Sequence, residues 1–394
     1  MITEDIRYIG VNDHDIDLFE GQYQVPNGIS YNSYVIMDEK IAIMDTVDKR
    51  KQTEFLENLE TALAGRTPDY LVISHMEPDH ASSIQAVVER YPEITLVGNA
   101  KTFPMLKLYF DLDTSRALTV KEGDTLKLGR HELTFVMAPM VHWPEVMVSY
   151  EDSEKILFSA DAFGTFGALN GNLFNDEVDF EKDWIDDARR YFTNIVGKYG
   201  VQVQNLLKKA ATLEIKMICP LHGPVWRENL GWFIEKYDTW SSYKPEDQAV
   251  MIAYASIYGN TENAAEILAS KLADKGVKNI AMYDVSVTDP SVIVSESFRC
   301  SHLVFAAPSY NGGIFTKMET VLSELKAHSL QNRTVAIMEN GTWAPVAGRQ
   351  MREIFAGMKN IELLEEGVTI RSAVKEAQEA SLEALAEKIA SSLQ

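Results

Sequence analysis

Residues 74–83 read Ser-His-Met-Glu-Pro-Asp-His-Ala-Ser-Ser and follow directly on the apolar run Tyr70-Leu71-Val72-Ile73. A short apolar run that ends at turn-forming residues reads as a buried strand. His75, Glu77, Asp79 and His80 therefore fall in the loop at a strand end, where a rigid scaffold can aim side chains without burying loop backbone. The same arrangement recurs along the chain. His142 follows the strand-like run 133–141, His222 follows 215–220, and Asp161 follows 156–160. The other histidines, His14, His131, His302 and His328, lack neighbouring acids in such a setting, apart from His14 between Asp13 and Asp15. Any one histidine is most simply a surface or packing group. Five recurrences of one pattern point to a metal site.

Around these loops the first two thirds read as short strands with irregular connections. Segments 32–37 and 40–45 form an expected hairpin turning at Asp38-Glu39, with further strands at 94–97 and 146–150. Helical periodicity marks 51–65, 82–90 and 183–200. The polar, proline-containing stretch at 243–248 precedes a fresh apolar strand and is the expected boundary, giving domains 1–246 and 247–394. Beyond it the rhythm becomes strand, helix, strand, helix: strands at 250–255, 280–285, 303–307 and 334–338, helices up to 276 and near 291–298, 317–328, 347–357 and from 375. Such alternation predicts a doubly wound parallel sheet.

The bulk composition agrees with two soluble domains. The chain has 394 residues, 46% hydrophobic and 24% charged, too many for one ordinary core. No apolar run reaches the roughly 18 residues of a membrane span, and the N-terminus lacks a basic-then-apolar export signal. A formal net charge of −21 excludes nucleic acid and anionic membrane as natural partners. Two cysteines, Cys219 and Cys300, make neither a disulfide framework nor a thiolate metal site, so the expected compartment is a reducing cytoplasm.

Three loops of the C-terminal part carry a second pattern. Ser256, Ile257, Tyr258, Gly259, Asn260 and Thr261 open a helix after the first strand. Backbone N–H groups and the helix dipole there suit a phosphate. No lysine of a nucleoside-triphosphate loop and no dinucleotide glycine fingerprint is present, so a terminal phosphate monoester is expected. Pro308, Ser309, Tyr310, Asn311, Gly312 and Gly313 follow the third strand, and Asn340, Gly341, Thr342 and Trp343 the fourth. All three lie at carboxyl ends of expected parallel strands, where such sheets bind ligands. Tyr310 and Trp343 offer rings to a flat ligand.

His75-x-Glu77-x-Asp79-His80, with His142, Asp161 and His222 in order, resembles the metallo-β-lactamase-like domain of the flavodiiron proteins, and the C-terminal part is similar to flavodoxin. The likeness covers the whole chain. It implies an N-terminal metallo-β-lactamase-like αββα sandwich joined to a flavodoxin-like α/β domain that binds FMN. Hydrolases of the same superfamily carry histidine where this chain has Glu77. Carboxylates favour harder ions and non-haem iron over zinc. Glu77, Asp79 and Asp161 set three negative charges against the four positive charges of two ferrous ions, and one hydroxide would complete neutrality.

By resemblance, His75, Glu77 and His142 hold one iron, Asp79, His80 and His222 the other, and Asp161 bridges them. His80 is either a ligand or a hydrogen-bond partner behind one. Asp45 resembles a structural acid of the superfamily, and Tyr191 is either a packing residue or a proton source. The implied activity is an oxidoreductase that passes electrons from FMN to two iron ions, reducing dioxygen to water, nitric oxide to nitrous oxide, or both. The implied partners are a separate rubredoxin-like donor, since no C-x-x-C pair marks a fused one, or alternatively a reduced deazaflavin. A head-to-tail homodimer, or a dimer of such dimers, is implied likewise. Two rivals stand beside this: a metal-dependent hydrolase fused to a flavodoxin domain, and an electron carrier with a purely structural metal.

Overall fold

A computed structural model describes residues 1–393, and the chain divides into two compact units. The first comprises residues 1–192 and 201–238, the second 193–200 and 239–394. The expected boundary at 246/247 falls inside the second unit, where the strand Asp247–Tyr254 begins.

The first unit contains two facing sheets. One has six strands in the order Ile6–Tyr8, Tyr34–Ile36, Ala42–Met44, Tyr70–Val72, Thr95–Asn99, Leu118–Val120. Its first two pairings are antiparallel and the rest parallel. The second has five, Thr125–Lys127, Glu132–Met137, Met147–Glu151, Ile156–Phe158 and Met217–Cys219, with only the last pair parallel. Side chains of both sheets meet in one core that includes Ile36, Val72, Val97, Phe135, Met147 and Phe158. Each is fully or almost fully buried, and burying a side chain of this size contributes about 1.5–3 kcal/mol. Helices such as Gln52–Leu63 and Ile84–Arg90 bury Phe55, Leu59, Ile84 and Val87.

In the second unit the central strands run in the order Ile280–Asp284, Asp247–Tyr254, Cys300–Tyr310, Arg333–Asn340, Ile361–Leu363, all parallel. Val368–Ile370 pairs farther along Arg333–Asn340. Successive residues of the strands face opposite cores. Met251, Ala253, Leu303 and Phe305 belong to one; Val250, Ile252, Val304 and Ala306 belong to the other. Helices Pro290–Arg299, Thr316–Ala327 and Ala347–Ala356 cover the first face, Asn260–Asp274 and Glu376–Ser392 the second. This is the doubly wound arrangement, with its strand-order reversal at Asp247–Tyr254 and Cys300–Tyr310.

Several expected boundaries shift. The strand expected over 133–141 ends at Met137, because the chain turns there, with Ala138 N–H bonded to the Val146 carbonyl. The helix expected to end at Gly200 instead changes pitch at Phe192–Val196 and continues as Gly200–Ala210. Helices Thr102–Tyr109 and Leu230–Ser241 are additional to those expected. Among the described residues no helix is long and apolar enough to cross a membrane.

Candidate functional site

Each acid or histidine of the opening motif, and each later one, sits just beyond the end of a strand of the first unit. Tyr70–Val72 leads to His75 and Glu77, and Asp79 and His80 lie on the short helix Pro78–Ala81. Glu132–Met137 leads to His142, Ile156–Phe158 to Asp161, and Met217–Cys219 to His222. The fold brings all seven together in two groups, His75, Glu77, His142 and Asp161 in one, Asp79, His80 and His222 in the other.

Asp161 faces both. Its Oδ2 lies 2.9 Å from His75 Nε2 and 3.4 Å from His142 Nε2. Its Oδ1 lies 3.7 Å from His222 Nε2 and 4.0 Å from His80 Nε2. In the first group Glu77 Oε2 is 2.8 Å from His142 Nε2 and 3.5 Å from His75 Nε2. In the second, Asp79 Oδ2 is 3.1 Å from His222 Nε2 and 3.4 Å from His80 Nε2, and the two imidazole nitrogens are 3.0 Å apart. Ligands about 2.1 Å from one ion at near right angles stand about 3.0 Å from each other. His80 thus turns its Nε2 into the group and its Nδ1 towards the Thr46 carbonyl at 3.4 Å.

The donor set fits metal ions on a second ground. Both carboxylate oxygens of Asp79 and of Asp161, and both ring nitrogens of His75, are buried without a hydrogen-bond partner, close as their neighbours are. Buried polar atoms without partners are costly, and unpaired acceptor oxygens in both ligand groups are what cations relieve. The electrostatics agree. Burial opposes charge on His142, but the Glu77 and Asp161 carboxylates together outweigh it and lift the imidazole to about 10. Burial also opposes charge on Asp161, but His75 holds its carboxyl well below the usual range. Burial, and next the Glu77 charge, raise Asp79 to about 6. Burial and the neighbouring His222 push His80 well down.

The surrounding shell fixes ring orientation. His222 Nδ1 is 2.7 Å from the Ser30 carbonyl, and Gly223 N–H donates to Ser30 Oγ. Asn32 Nδ2 donates to the carbonyls of Pro220 and Gly223, and Tyr34 Oη to that of Pro220. Gly223 has φ +77 and a side chain there would strike Thr165, so glycine is required. Ser74 donates through N–H and Oγ to the two oxygens of Asp45, which thereby anchors the residue before His75. Tyr191 is buried with its ring 5.4 Å from that of His222.

Sequence reasoning missed several contributors: Ser30 and Asn32, which hold the His222 loop; Phe19, whose ring packs on His222 at 5.5 Å; and Glu145, which accepts from the Met76 N–H. Their only signal is position, a polar or aromatic residue beside a strand end.

In the second unit the three expected loops converge on a cleft of about 340 Å³. Ser256, Ile257, Tyr258, Asn260 and Thr261 line it, as do Pro308, Ser309, Asn311 and Gly312, and then Asn340, Gly341, Thr342 and Trp343. Gly259, Tyr310 and Gly313 do not line it, while Ala344 and Ser372, not expected, do. Gly259 has φ +84 and caps the helix Asn260–Asp274, whose first-turn amides open towards the cleft loop. Ser256 Oγ is buried and unpartnered. Two of the expected lining residues also brace the scaffold. Ser309 Oγ accepts from the N–H groups of Val346 and Ala347, and the Asn340 amide pairs with the Ser372 backbone. Tyr258 and Trp343 are 90% and 87% exposed at the rim, free to cover a flat ring.

Comparison with known proteins places these features. Residues 29–223 match the model described as ODP family beta lactamase. The chain is 30% identical over 373 residues to a nitric oxide reductase of Moorella thermoacetica, covering 94% of this chain and 92% of that one. It is similar to the rubredoxin oxygen:oxidoreductase of Desulfovibrio gigas, with 27% identity, a TM-score of 0.94 and coverage of 100% and 98%. It is similar also to the flavodiiron protein of Giardia intestinalis, with 26% identity, a TM-score of 0.94 and coverage of 100% and 96%.

Proposed function

The chain belongs to the flavodiiron protein family, and from that premise we propose that it is an oxidoreductase that reduces dioxygen to water, nitric oxide to nitrous oxide, or both. The observation that carries this is the division of Asp161, one oxygen towards each ligand group. A site for a single ion has no use for it.

His75, Glu77 and His142 would hold one iron, Asp79, His80 and His222 the other, with Asp161 shared between them. FMN would be held by the cleft of the second unit, its phosphate by Ser256–Thr261 and its ring beside Trp343. When bound, the iron pair and the flavin supply electrons to the gas. The protein's own part is to place the ligands and orient them. Glu77 brings a negative charge to the first group where a hydrolase has a neutral imidazole, favouring a harder redox ion. Ser30 and Thr46 take the outer nitrogens of His222 and His80, which points the inner ones at the site. Two ligand groups side by side would, once loaded, allow two nitric oxide molecules to be brought near each other, a proximity effect.

The electron donor is a rubredoxin-like protein, with a reduced deazaflavin as the alternative. The exposed rings of Tyr258 and Trp343 suit a cleft that meets another protein surface, and a second copy of the chain, arranged head to tail, completes the dimer. The test is direct. Protein loaded with iron and FMN, reduced anaerobically and supplied with one reductant, should consume oxygen or nitric oxide over many turnovers, followed with gas-specific electrodes. Purified protein holding only zinc, turning over esters or lactams and neither gas, would establish the hydrolase instead.

A further inference from the structure

Glu145 is fully buried, and the chemistry above gives it no role. It lies three residues beyond His142, where the chain enters the strand Met147–Glu151. Its Oε1 accepts a 2.7 Å hydrogen bond from the backbone N–H of Met76, the residue between His75 and Glu77. Two residues on, Met147 N–H donates to the Ser74 carbonyl at 3.0 Å. The two segments run side by side, and at Met76 a carboxylate takes the place of the main-chain acceptor. The Glu145 backbone is held in turn, its carbonyl accepting from Asn99 Nδ2. Asn99 Oδ1 accepts from Lys101 N–H, and Lys101 Nζ donates to the Pro144 carbonyl. The other carboxylate oxygen, Oε2, is buried without a hydrogen-bond partner.

Resting on the two-iron reading, we propose that Glu145 is a positioning residue for one ion only, that held by His75, Glu77 and His142. It ties the loop carrying the first two ligands to the loop carrying the third, through a charge-assisted bond of the stronger kind. The second group has separate moorings. Thr46 holds the His80 carbonyl through both its N–H and its Oγ, and Ser30 holds His222. Removing the Glu145 acceptor leaves the Met76 N–H buried and unpaired and loosens the backbone between His75 and Glu77, while Asp79, His80 and His222 keep their supports.

The test compares the full chain with Glu145→Met, similar in size and without an acceptor, and Glu145→Gln, which keeps one. Iron is titrated anaerobically, and Mössbauer spectra of the loaded proteins report each ion separately. In the Met variant one of the two ions should bind about 10–100-fold more weakly, the range for groups that orient metal ligands, with one spectral component lost and the other unchanged. The Gln variant should bind both ions, with a shift confined to one component. A Met variant that binds both ions like the parent, or loses both equally, overturns the proposal. So does a Gln variant with neither or both components shifted, which keeps the test decisive should the Met variant fail to fold. A parent that binds no iron would instead overturn the two-iron reading, and this proposal with it.

Discussion

Replacing Asp161 with asparagine changes almost nothing in shape and removes one negative charge from the point where the two ligand groups meet. Neither oxygen of Asp161 accepts a hydrogen bond, so the metal-free fold should keep its secondary structure. The effect on metal should be large. Groups that merely orient a ligand cost about 10–100-fold in affinity when removed. A ligand should cost at least that, about 1.4–2.7 kcal/mol. Because Asp161 Oδ2 stands 2.9 Å from His75 and Oδ1 3.7 Å from His222, the loss falls on both ions, and the pair should bind about 10²–10⁴-fold more weakly. The assay is iron per chain after anaerobic reconstitution and desalting, with bound FMN measured in the same sample. Iron should drop below one per chain while FMN stays. An Asp161→Asn protein that keeps two irons and full gas consumption would refute the bridging assignment.

Two further outcomes follow from groups outside the metal site. Trp343→Ala removes an exposed rim aromatic; ring stacking is worth about 0.5–1.5 kcal/mol, so flavin fluorescence titration should show FMN bound roughly 2–10-fold more weakly, with iron content unchanged. His131 and Glu151 form a buried pair, Nδ1 to Oε1 at 2.8 Å. Burial opposes charge on each, but Glu151 together with Asp5 raises His131 above 6.5, and His131 together with the Ser153 and Glu154 backbone N–H groups lowers Glu151 below 4.5. The His131 contribution is therefore complete below 6.5 and lost as pH rises through its folded value. That of Glu151 is complete above 4.5 and lost as pH falls through its own. Urea unfolding should show greatest stability between those limits, and His131→Gln, which removes the charged partner of Glu151 while the Ser153 and Glu154 N–H groups still donate to it, should cost about 1.5–3 kcal/mol and abolish the alkaline decline.

What could be read from the chain, and what could not, divides along physical lines. Ligand residues are chemically distinctive and follow apolar runs, so all seven stand out, and the parallel C-terminal strands are apolar on both faces and equally plain. The helix Gly200–Ala210 was hidden because two glycines interrupt its approach. Gly200 is there for closeness, since a side chain would collide with the Ser241 carbonyl, and a glycine kept for packing looks like a stop signal. Glu145 was hidden for the opposite reason. An acid before a strand looks solvated, and only the register of two distant segments puts it against Met76. The His131–Glu151 pair likewise depends on the antiparallel register that sets Leu133 opposite Glu151.

The second ligand group draws on residues far apart in the chain: His80 and His222 are 142 positions from each other, and Ser30, which orients His222, is 192 positions from it. No early fragment of the protein contains a complete cage. Ions can settle only after both sheets have docked, so metal uptake is a terminal event of maturation, and any ion thereafter retained favours the finished molecule by mass action.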